Sequence, residues 1–331
     1  MSTKTERISR IGRAELVRFG AGAAVLVVLC LVPLFITSAY LIHVFILTFI
    51  YIVAAASLRL ITISGQFPLA HAGFMGIGAY SSAVLAKGLD ITPWVTLFIG
   101  GFASMAIGAL IGFPFARLRS LYYAMVSLFF GAGIIQVIIA LQKWTNGYAG
   151  LTGIPPLLPG ATSKVPYYYF FLSFMLLCLL AMYRFEFSRI GVTLKAIAQS
   201  HLVASSVGID EAKYRVLALA VGCFFVGLTG AAYAHYTLTL SYSSFDLNAT
   251  LWLVIYALIG GIGSFLGPAV GTALLIIIPE LLRDLKEFVP YTSAAILLVV
   301  VYVMPKGLVG LPKLVQSLFQ SRRIKKAVHV S

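Results

Sequence analysis

The sequence has very little charge for its length. Only 10% of its 331 residues are charged and 60% are apolar, whereas soluble domains carry about 25% charged residues. This excludes a soluble enzyme and a disordered chain. The apolar residues form long unbroken runs, which differ from the alternating segments of about ten residues in an outer-membrane barrel. The composition therefore predicts an all-α polytopic membrane protein.

Cysteine and catalytic motifs are also scarce. The three cysteines, Cys30, Cys178 and Cys223, all lie inside apolar runs without CxxC spacing, so we expect packing roles and no disulfide framework. The sequence contains no HExxH, GxSxG or GxxxxGK[ST] motif, the patterns of metalloproteases, serine hydrolases and phosphate-binding loops. We therefore expect no catalytic residue, no metal and no cofactor, and an intramembrane enzyme is disfavoured.

The apolar runs contain almost no ionisable side chains. Glu280 is the single carboxylate within a predicted span, and the histidines are His43, His71 and His235. Proton-driven carriers usually keep acidic or histidine relays in their spans, and we favour hydrogen-bonded packing roles for His43 and His235. Three alternatives remain: a partner supplies the free energy, the chain is a downhill channel or facilitator for a small polar solute, or it is a cation-coupled carrier with broken helices.

Run lengths and charge predict ten membrane segments within a transmembrane domain of residues 20–305. With both termini in the cytoplasm, 19 of the 24 Lys and Arg residues lie on the cytoplasmic side, as the positive-inside rule requires. The same spread of charge along the ends of apolar runs argues against a nucleic-acid partner and for membrane lipid. Ten segments divide into two halves of five in opposite orientation, an inverted repeat. The predicted segments are approximately 20–39, 41–58, 69–86, 93–116, 121–141, 166–183, 214–236, 250–263, 265–282 and 289–305.

The remaining parts are a basic N-terminal segment at 1–19, a basic tail at 306–331, and a cytoplasmic loop at 184–213. The first apolar run is too long for a signal peptide and is read as an uncleaved span. Within the loop, residues 192–207 are predicted to form one helix that ends at Gly208. Its apolar side, formed by Leu194, Ile197, Ala198 and Leu202, suits a partner's groove. The alternative is a surface helix without a partner.

Small residues recur at helical spacing in two segments. Gly100, Ser104, Gly108 and Gly112 follow each other at intervals of four residues, as do Gly263, Gly267 and Gly271. Such spacing lets helix backbones approach closely in a membrane. Packing within the bundle is favoured over a dimer face.

Five stretches in order resemble the LivM-like subfamily of branched-chain amino-acid ABC-transporter permeases. They are 63–80, 118–128, 145–156, 191–197 with 208–210, and 260–268. The resemblance implies an inner-membrane subunit of a bacterial importer for branched-chain or related amino acids, with the ten-span inverted-repeat fold. It also implies a second related permease, two ATP-binding subunits and an extracytoplasmic solute-binding protein. Relatives in this family carry urea or short amides, which is the alternative substrate class.

Two stretches depart from the family pattern. The family usually has Ser-Leu-Gly-His where this chain has Pro-Leu-Ala-His at 68–71. It usually has a glutamate followed by alanines where this chain has His-Leu-Val-Ala at 201–204. The second change alters the polar details of ATPase docking.

The candidate site residues form two groups. A pathway constriction is expected around 71–80 and 260–268, with tight helix packing as the alternative, and His71 is expected to be a neutral, hydrogen-bonded ring that pins the backbone or contacts solute. The pathway candidates are His71, Gly73, Phe74, Gly76, Gly78, Tyr80, Gly260, Gly261 and Gly263. The candidates for ATPase coupling are Leu194, Lys195, Ile197, His201, Leu202, Ala204 and Gly208.

Overall fold

The computed structural model describes residues 24, 26–36, 38–118, 120–160 and 163–281. In this part of the chain the fold is a helical bundle with one pair of two-residue strands. The helices are α1 (Leu26–Phe35), α2 (Ala39–Thr62), α3 (His71–Gly88), α4 (Pro93–Ala116), α5 (Ser120–Ala140), α6 (Gln142–Thr145), α7 (Val165–Glu186), α8 (Arg189–Gln199), α9 (His201–Ser206), α10 (Glu211–Thr237), α11 (Leu247–Gly260) and α12 (Gly267–Leu281). Two 3-10 turns, at Gly147–Ala149 and Tyr242–Phe245, lie between them.

Six helical stretches within the described residues are long and apolar enough to cross a membrane. Five are α2, α4, α5, α7 and α10, and the sixth joins the turn at Tyr242–Phe245 to α11. This confirms a multi-pass helical membrane protein. The count of ten and the five-plus-five repeat stay predictions, since the segment predicted at 289–305 lies outside the described residues, as do 1–19 and 306–331.

Helices α2 and α10 form the centre of the bundle. Most of their residues are buried, whereas α4, α5 and α7 each turn a broad apolar face outward. An outward apolar face is what a lipid environment or a second subunit requires. The buried side chains of α2, α3, α7 and α10 belong to one continuous apolar core.

The small residues of α4 pack within the bundle, against α10. A Cβ added at Gly108 would lie 2.8 Å from the Cβ of Cys223, and one at Gly112 would lie 3.2 Å from Val216 Cγ1. A Cβ at Gly227 would overlap the side chain of Ser104. The favoured interpretation of this ladder, packing inside the bundle, is therefore confirmed.

The chain reverses between α11 and α12. Helix α11 ends at Gly260, and Gly261 follows with φ of +101°, a backbone angle that residues other than glycine rarely adopt. A Cβ at Gly260 would overlap the backbone of Gly267, and one at Gly271 would overlap Tyr256. The predicted break at 260–268 is confirmed. Helix α11 has 14 residues, about 21 Å at 1.5 Å per residue, which is less than a membrane core.

The loop between α5 and α7 is attached to the far end of α10. Leu151 and Thr152 pair antiparallel with Leu240 and Thr239. Ile154 N–H donates to the carbonyl of Leu238 at 3.2 Å in the same place. This loop therefore forms a fixed cap over one end of the bundle.

Candidate functional site

His71 begins α3 and faces α2 in the interior. Its side chain is fully buried, with Nε2 2.8 Å from Ser57 Oγ and 3.1 Å from the Ala54 carbonyl oxygen. The Ser57 hydroxyl itself donates to Ala54, so Nε2 carries the proton and donates to this pair. Nδ1 has no hydrogen-bond partner among the described residues. The geometry fits a neutral ring that ties α3 to α2, since a second buried N–H without an acceptor would be costly.

The start of α3 is held by hydroxyl groups from two other helices. Ala72 N–H donates to Thr250 Oγ1 at 3.3 Å, and Leu69 N–H donates to Ser127 Oγ at 3.0 Å. The first N–H groups of a helix lack partners within it. Helices α5 and α11 thus supply acceptors that the chain before α3 cannot.

The glycines of α3 lie on two different sides of the helix. A Cβ at Gly73 would lie 3.1 Å from Ile134 of α5, and one at Gly76 would lie 3.2 Å from Phe245 in the turn before α11. Gly78 points the other way, and a Cβ there would overlap the backbone of Gly227 in α10. Gly78 therefore fits the packing alternative.

Two aromatic residues of α3 complete this segment. Phe74 is buried and its ring centroid lies 5.8 Å from that of Phe130 in α5. Tyr80 is buried, its ring lies edge-on to Phe245 at 6.1 Å, and its hydroxyl has no partner among the described residues. Gly73, Gly76 and Tyr80 thus share the side of α3 that faces α5 and Phe245.

The stretch at 260–268 lies at the other end of α11. Thr250 of α11 accepts a hydrogen bond from α3, and Gly260 follows Thr250 by ten residues, about 15 Å of helix. Gly260 and Gly261 are buried against α12, Gly263 is exposed, and Phe265 packs on Tyr183 of α7. The two glycine stretches therefore pack against different neighbours, and a role in solute passage stays a prediction for each.

The other two histidines of the apolar helices also make hydrogen bonds to neighbouring residues. His235 Nδ1 donates to the Pro155 carbonyl at 2.8 Å, while Nε2 lies 2.9 Å from Ser82 Oγ and 3.2 Å from Thr96 Oγ1. His43 stacks on Tyr236, with Nδ1 2.5 Å from its hydroxyl. Both agree with the hydrogen-bonded packing role favoured from the sequence. Within the described residues no cluster of His, Cys, Asp or Glu is arranged to hold a metal.

The loop at 184–213 forms two helices, so the prediction of one helix over 192–207 is wrong. Helix α8 ends at Gln199, and α9 begins at His201. Ser200 between them is extended, and its hydroxyl accepts the N–H of Val203 at 3.4 Å. Serine is a favoured N-cap residue, and its capping of α9 interrupts the helix that the apolar pattern predicts.

The break separates the apolar residues that the sequence placed on one side. Leu194 and Ile197 are buried in the protein's own core, where Leu194 clusters with Ile63, the residue after α2, and Ala218 of α10. Ala198 is exposed and Leu202 in α9 is 72% exposed. This corrects the prediction that all four residues form a single docking face. Leu194 and Ile197 anchor the loop to the core, whereas Ala198 and Leu202 face outward.

Gly208 terminates α9 in the left-handed conformation, as predicted. Gly208 has φ of +82°, its N–H donates to Ser205 and the N–H of Ile209 donates to the Ala204 carbonyl. This pair of bonds is the Schellman motif that glycine favours. Ala204 is buried and His201 is half-buried.

The hydrogen bonds that Lys213 gives to the Asp210 carboxylate hold the pKa of Asp210 below its ordinary value, so this cap of α10 stays charged at neutral pH.

A buried ion pair, absent from the candidates found in the sequence, lies beside this loop. Glu186, the last residue of α7, accepts two hydrogen bonds from Arg59 of α2, at 2.6 and 3.0 Å. Lys195 of α8 approaches the same carboxylate at 2.9 Å. Arg59 and Glu186 each end an apolar run, so in the sequence they resemble ordinary charged flanks, and no further signal there pairs them.

Comparison with known proteins identifies one family for this chain. The sequence model of the family described as "Branched-chain amino acid transport system / permease component" matches residues 40–305. No solved structure matches the chain.

Several curated proteins are similar over most of their length. The permease protein LivM of a high-affinity branched-chain amino acid transport system of Escherichia coli K12 is 26% identical over 87% of this chain and 74% of its own. LivM of Salmonella typhimurium is 26% identical over 81% of this chain and 69% of its own. LivH, a permease protein of the same named system in Salmonella typhimurium, is 22% identical over 76% of this chain and 88% of its own. The chain is therefore similar to both kinds of permease and is LivM-like.

Proposed function

Because the chain belongs to the branched-chain amino acid transport permease family, we propose that it is a membrane subunit of an ATP-driven importer for branched-chain or related amino acids. In this proposal it lies in the inner membrane with ten spans in two inverted halves and both termini in the cytoplasm. It works with two ATP-binding subunits, a second related permease and an extracytoplasmic solute-binding protein. The similarity to both LivM and LivH supports a pair of related permeases.

One observation carries the ATP-driven part of the proposal, namely the exposed apolar end of the 184–213 loop. Leu202, Val203 and Val207 are each more than 60% exposed, on a two-turn segment fixed by caps at Ser200 and Gly208. Apolar residues that project from a rigid support outside the apolar helices favour a partner's groove over free solvent. A self-sufficient channel or carrier has no need of such a surface.

The chain itself offers little to drive transport. Within the described spans the carboxylates Glu186, Glu211 and Glu280 lie at the ends of their helices. The histidines of these spans are engaged in contacts with neighbouring helices. Proton-coupled carriers depend on titratable side chains along their pathway. An external source of free energy, ATP hydrolysis by partner subunits, fits this arrangement better.

The docking surface is tested by the double variant Leu202→Asp/Val203→Asp in the assembled importer. Two carboxylates in an apolar groove are expensive to desolvate, so we expect ATP-driven uptake and solute-stimulated ATP hydrolysis to fall by about tenfold or more, a loss of at least about 1.4 kcal/mol of docking free energy. Membrane abundance should stay unchanged, since both side chains already face solvent.

Leu89→Asp is the matched control. Leu89 is 66% exposed, comparable with Leu202, but it follows α3 at the opposite side of the membrane in the proposed topology. Normal ATP-driven uptake by the double variant would refute docking at α9. Uptake by the unsubstituted chain without any ATP-binding partner would refute the importer and support the channel alternative.

Mild-detergent purification from the native host followed by mass spectrometry tests the partners directly. Co-purification of an ATPase and a second permease supports the proposed assembly. The ligand profile of the co-purified binding protein separates branched-chain amino acids from urea and short amides.

A further inference from the structure

The carboxylate of Glu186 joins three helices at the base of the loop. It lies at the end of α7 and is buried, and both Arg59 of α2 and Lys195 of α8 form an ion pair with it. Both cations reach Glu186 Oε1, Arg59 at 2.6 Å and Lys195 at 2.9 Å. One buried carboxylate is therefore shared between the membrane core and the loop helix.

Arg59 and Lys195 have different roles in neutralising Glu186. Arg59 holds Glu186 through two hydrogen bonds, with its Nε on Oε2 and its terminal nitrogen on Oε1. Such a forked pair neutralises the carboxylate and satisfies its geometry. The buried pair is complete without Lys195, so the lysine is an additional bond from α8 to a group that the core already holds.

Lys195 is itself held in place by a second contact. Its Nζ lies 4.5 Å from the centre of the Phe187 ring, the residue after Glu186. The side chain is 37% exposed, while Glu186 is almost fully buried. A lysine that spans an aromatic face and a buried carboxylate is fixed in direction, unlike a surface lysine whose ion pair is screened by water.

The remaining contacts of α8 all point to the same core surface. Gly191 approaches the backbone of Glu186 so closely that a Cβ would overlap it, and Leu194 and Ile197 are buried. Ala198, although exposed, lies close to Gly65 in the turn after α2. Helix α8 is thus docked on the core, whereas α9 beyond Ser200 exposes Leu202 and Val203. Helix α8 therefore lies between α9 and the end of α7.

We propose that Lys195 is a positioning residue that couples the loop to the membrane core through Glu186 and Arg59. This rests on the proposed function, in which α9 receives the movement of an ATP-binding subunit. The bond keeps α8 aligned with the ends of α2 and α7, so that a displacement of the loop displaces these helices instead of being lost in a hinge at 187–189.

The test compares Lys195→Met with Lys195→Arg in the full importer. Methionine keeps much of the apolar stem and removes the charge, while arginine keeps a cation within reach of Glu186. The matched control is Lys143→Met, an exposed lysine that also lies over an aromatic ring, Trp144, at 5.9 Å. Two quantities are measured: solute imported per ATP hydrolysed, and amide hydrogen exchange at 190–199 in the full-length chain in lipid nanodiscs.

We expect Lys195→Met to lower solute imported per ATP by about fivefold, a coupling of about 1 kcal/mol, and to speed exchange at 190–199 while α2 and α7 stay protected. Lys195→Arg should restore most of both, and Lys143→Met should match the unsubstituted chain. A purely structural role predicts less assembled complex with an unchanged ratio of solute to ATP, and that result would overturn the proposal, as would unchanged exchange. Failure of the proposed function is a different result, the absence of ATP-driven uptake by the unsubstituted chain.

Discussion

The contact between Gly78 and Gly227 allows a sharp test of how α3, α4 and α10 are held together. A methyl group at Gly78, introduced as Gly78→Ala, would lie under 3.0 Å from the backbone of Gly227. Real Cβ atoms do not make such contacts, and a backbone, unlike a side chain, has no alternative rotamer. Helices α3 and α10 must therefore separate by about 1 Å at the crossing, which costs between about a quarter and a half of the dispersion energy of the contacts there.

The magnitude follows from two opposing effects. Alanine gains up to about 1 kcal/mol over glycine in a helix, while overpacking of a close contact typically costs about 1–3 kcal/mol. The overlap involves backbone on both sides, and Gly100 of α4 lies against the Gly78 carbonyl in the same place. We therefore expect a net loss of about 1–2 kcal/mol and a fall in the melting temperature of a few degrees.

Gly133→Ala is the matched control for this measurement. Gly133 lies within α5, and an added Cβ there would come within 4 Å of no atom of the described residues outside its own stretch of helix. It carries the same gain in helix propensity without the overlap. Thermal unfolding in nanodiscs, followed by helical circular dichroism, should show Gly133→Ala unchanged or more stable. Equal melting temperatures for the two variants would refute the packing argument for Gly78.

Two further outcomes are expected from the buried histidines. His71→Leu should lower uptake much more than His71→Gln at equal membrane abundance, since glutamine retains a donor for Ser57 and Ala54; equal uptake by both would contradict a structural role and a solute role alike. His235→Leu should destabilise the chain by about 1–3 kcal/mol, because the partly buried Pro155 carbonyl loses the N–H that His235 donates to it. The loop around Pro155 should then become more sensitive to protease. A melting temperature as high as that of the unsubstituted chain would contradict this.

The sequence predicted the positions of the apolar helices well because membrane burial depends on run length. Eight of the predicted segments correspond to described helices from α2 to α12, with ends that differ by a few residues. Helices α2 and α7 continue past the apolar run to Thr62 and Glu186. Charged residues normally end a span, so nothing in the local pattern indicates that Arg59 and Glu186 remain helical and buried together.

The same limit applies to the pathway candidates. A glycine at helical spacing signals close approach of backbone, but the pattern does not say whether the approaching group is a helix or a solute. Gly78 meets α10 and Gly73 meets α5, although both belong to one short motif. Their difference depends on which side of α3 each occupies after the tertiary contacts form.

In the loop at 184–213, one residue changes the structure that the apolar pattern predicts. Leu194 and Leu202 are eight residues apart, and on a continuous helix they would lie on one side. Ser200 prefers to cap α9, and the turn that results leaves Leu194 in the core and Leu202 in solvent. Hydropathy alone assigns both to a single surface, while the competition between N-capping and helix continuation divides them. The apolar residues inside the core anchor the loop, and those beyond the break at Ser200 are exposed, as the proposed docking of α9 on an ATP-binding subunit requires.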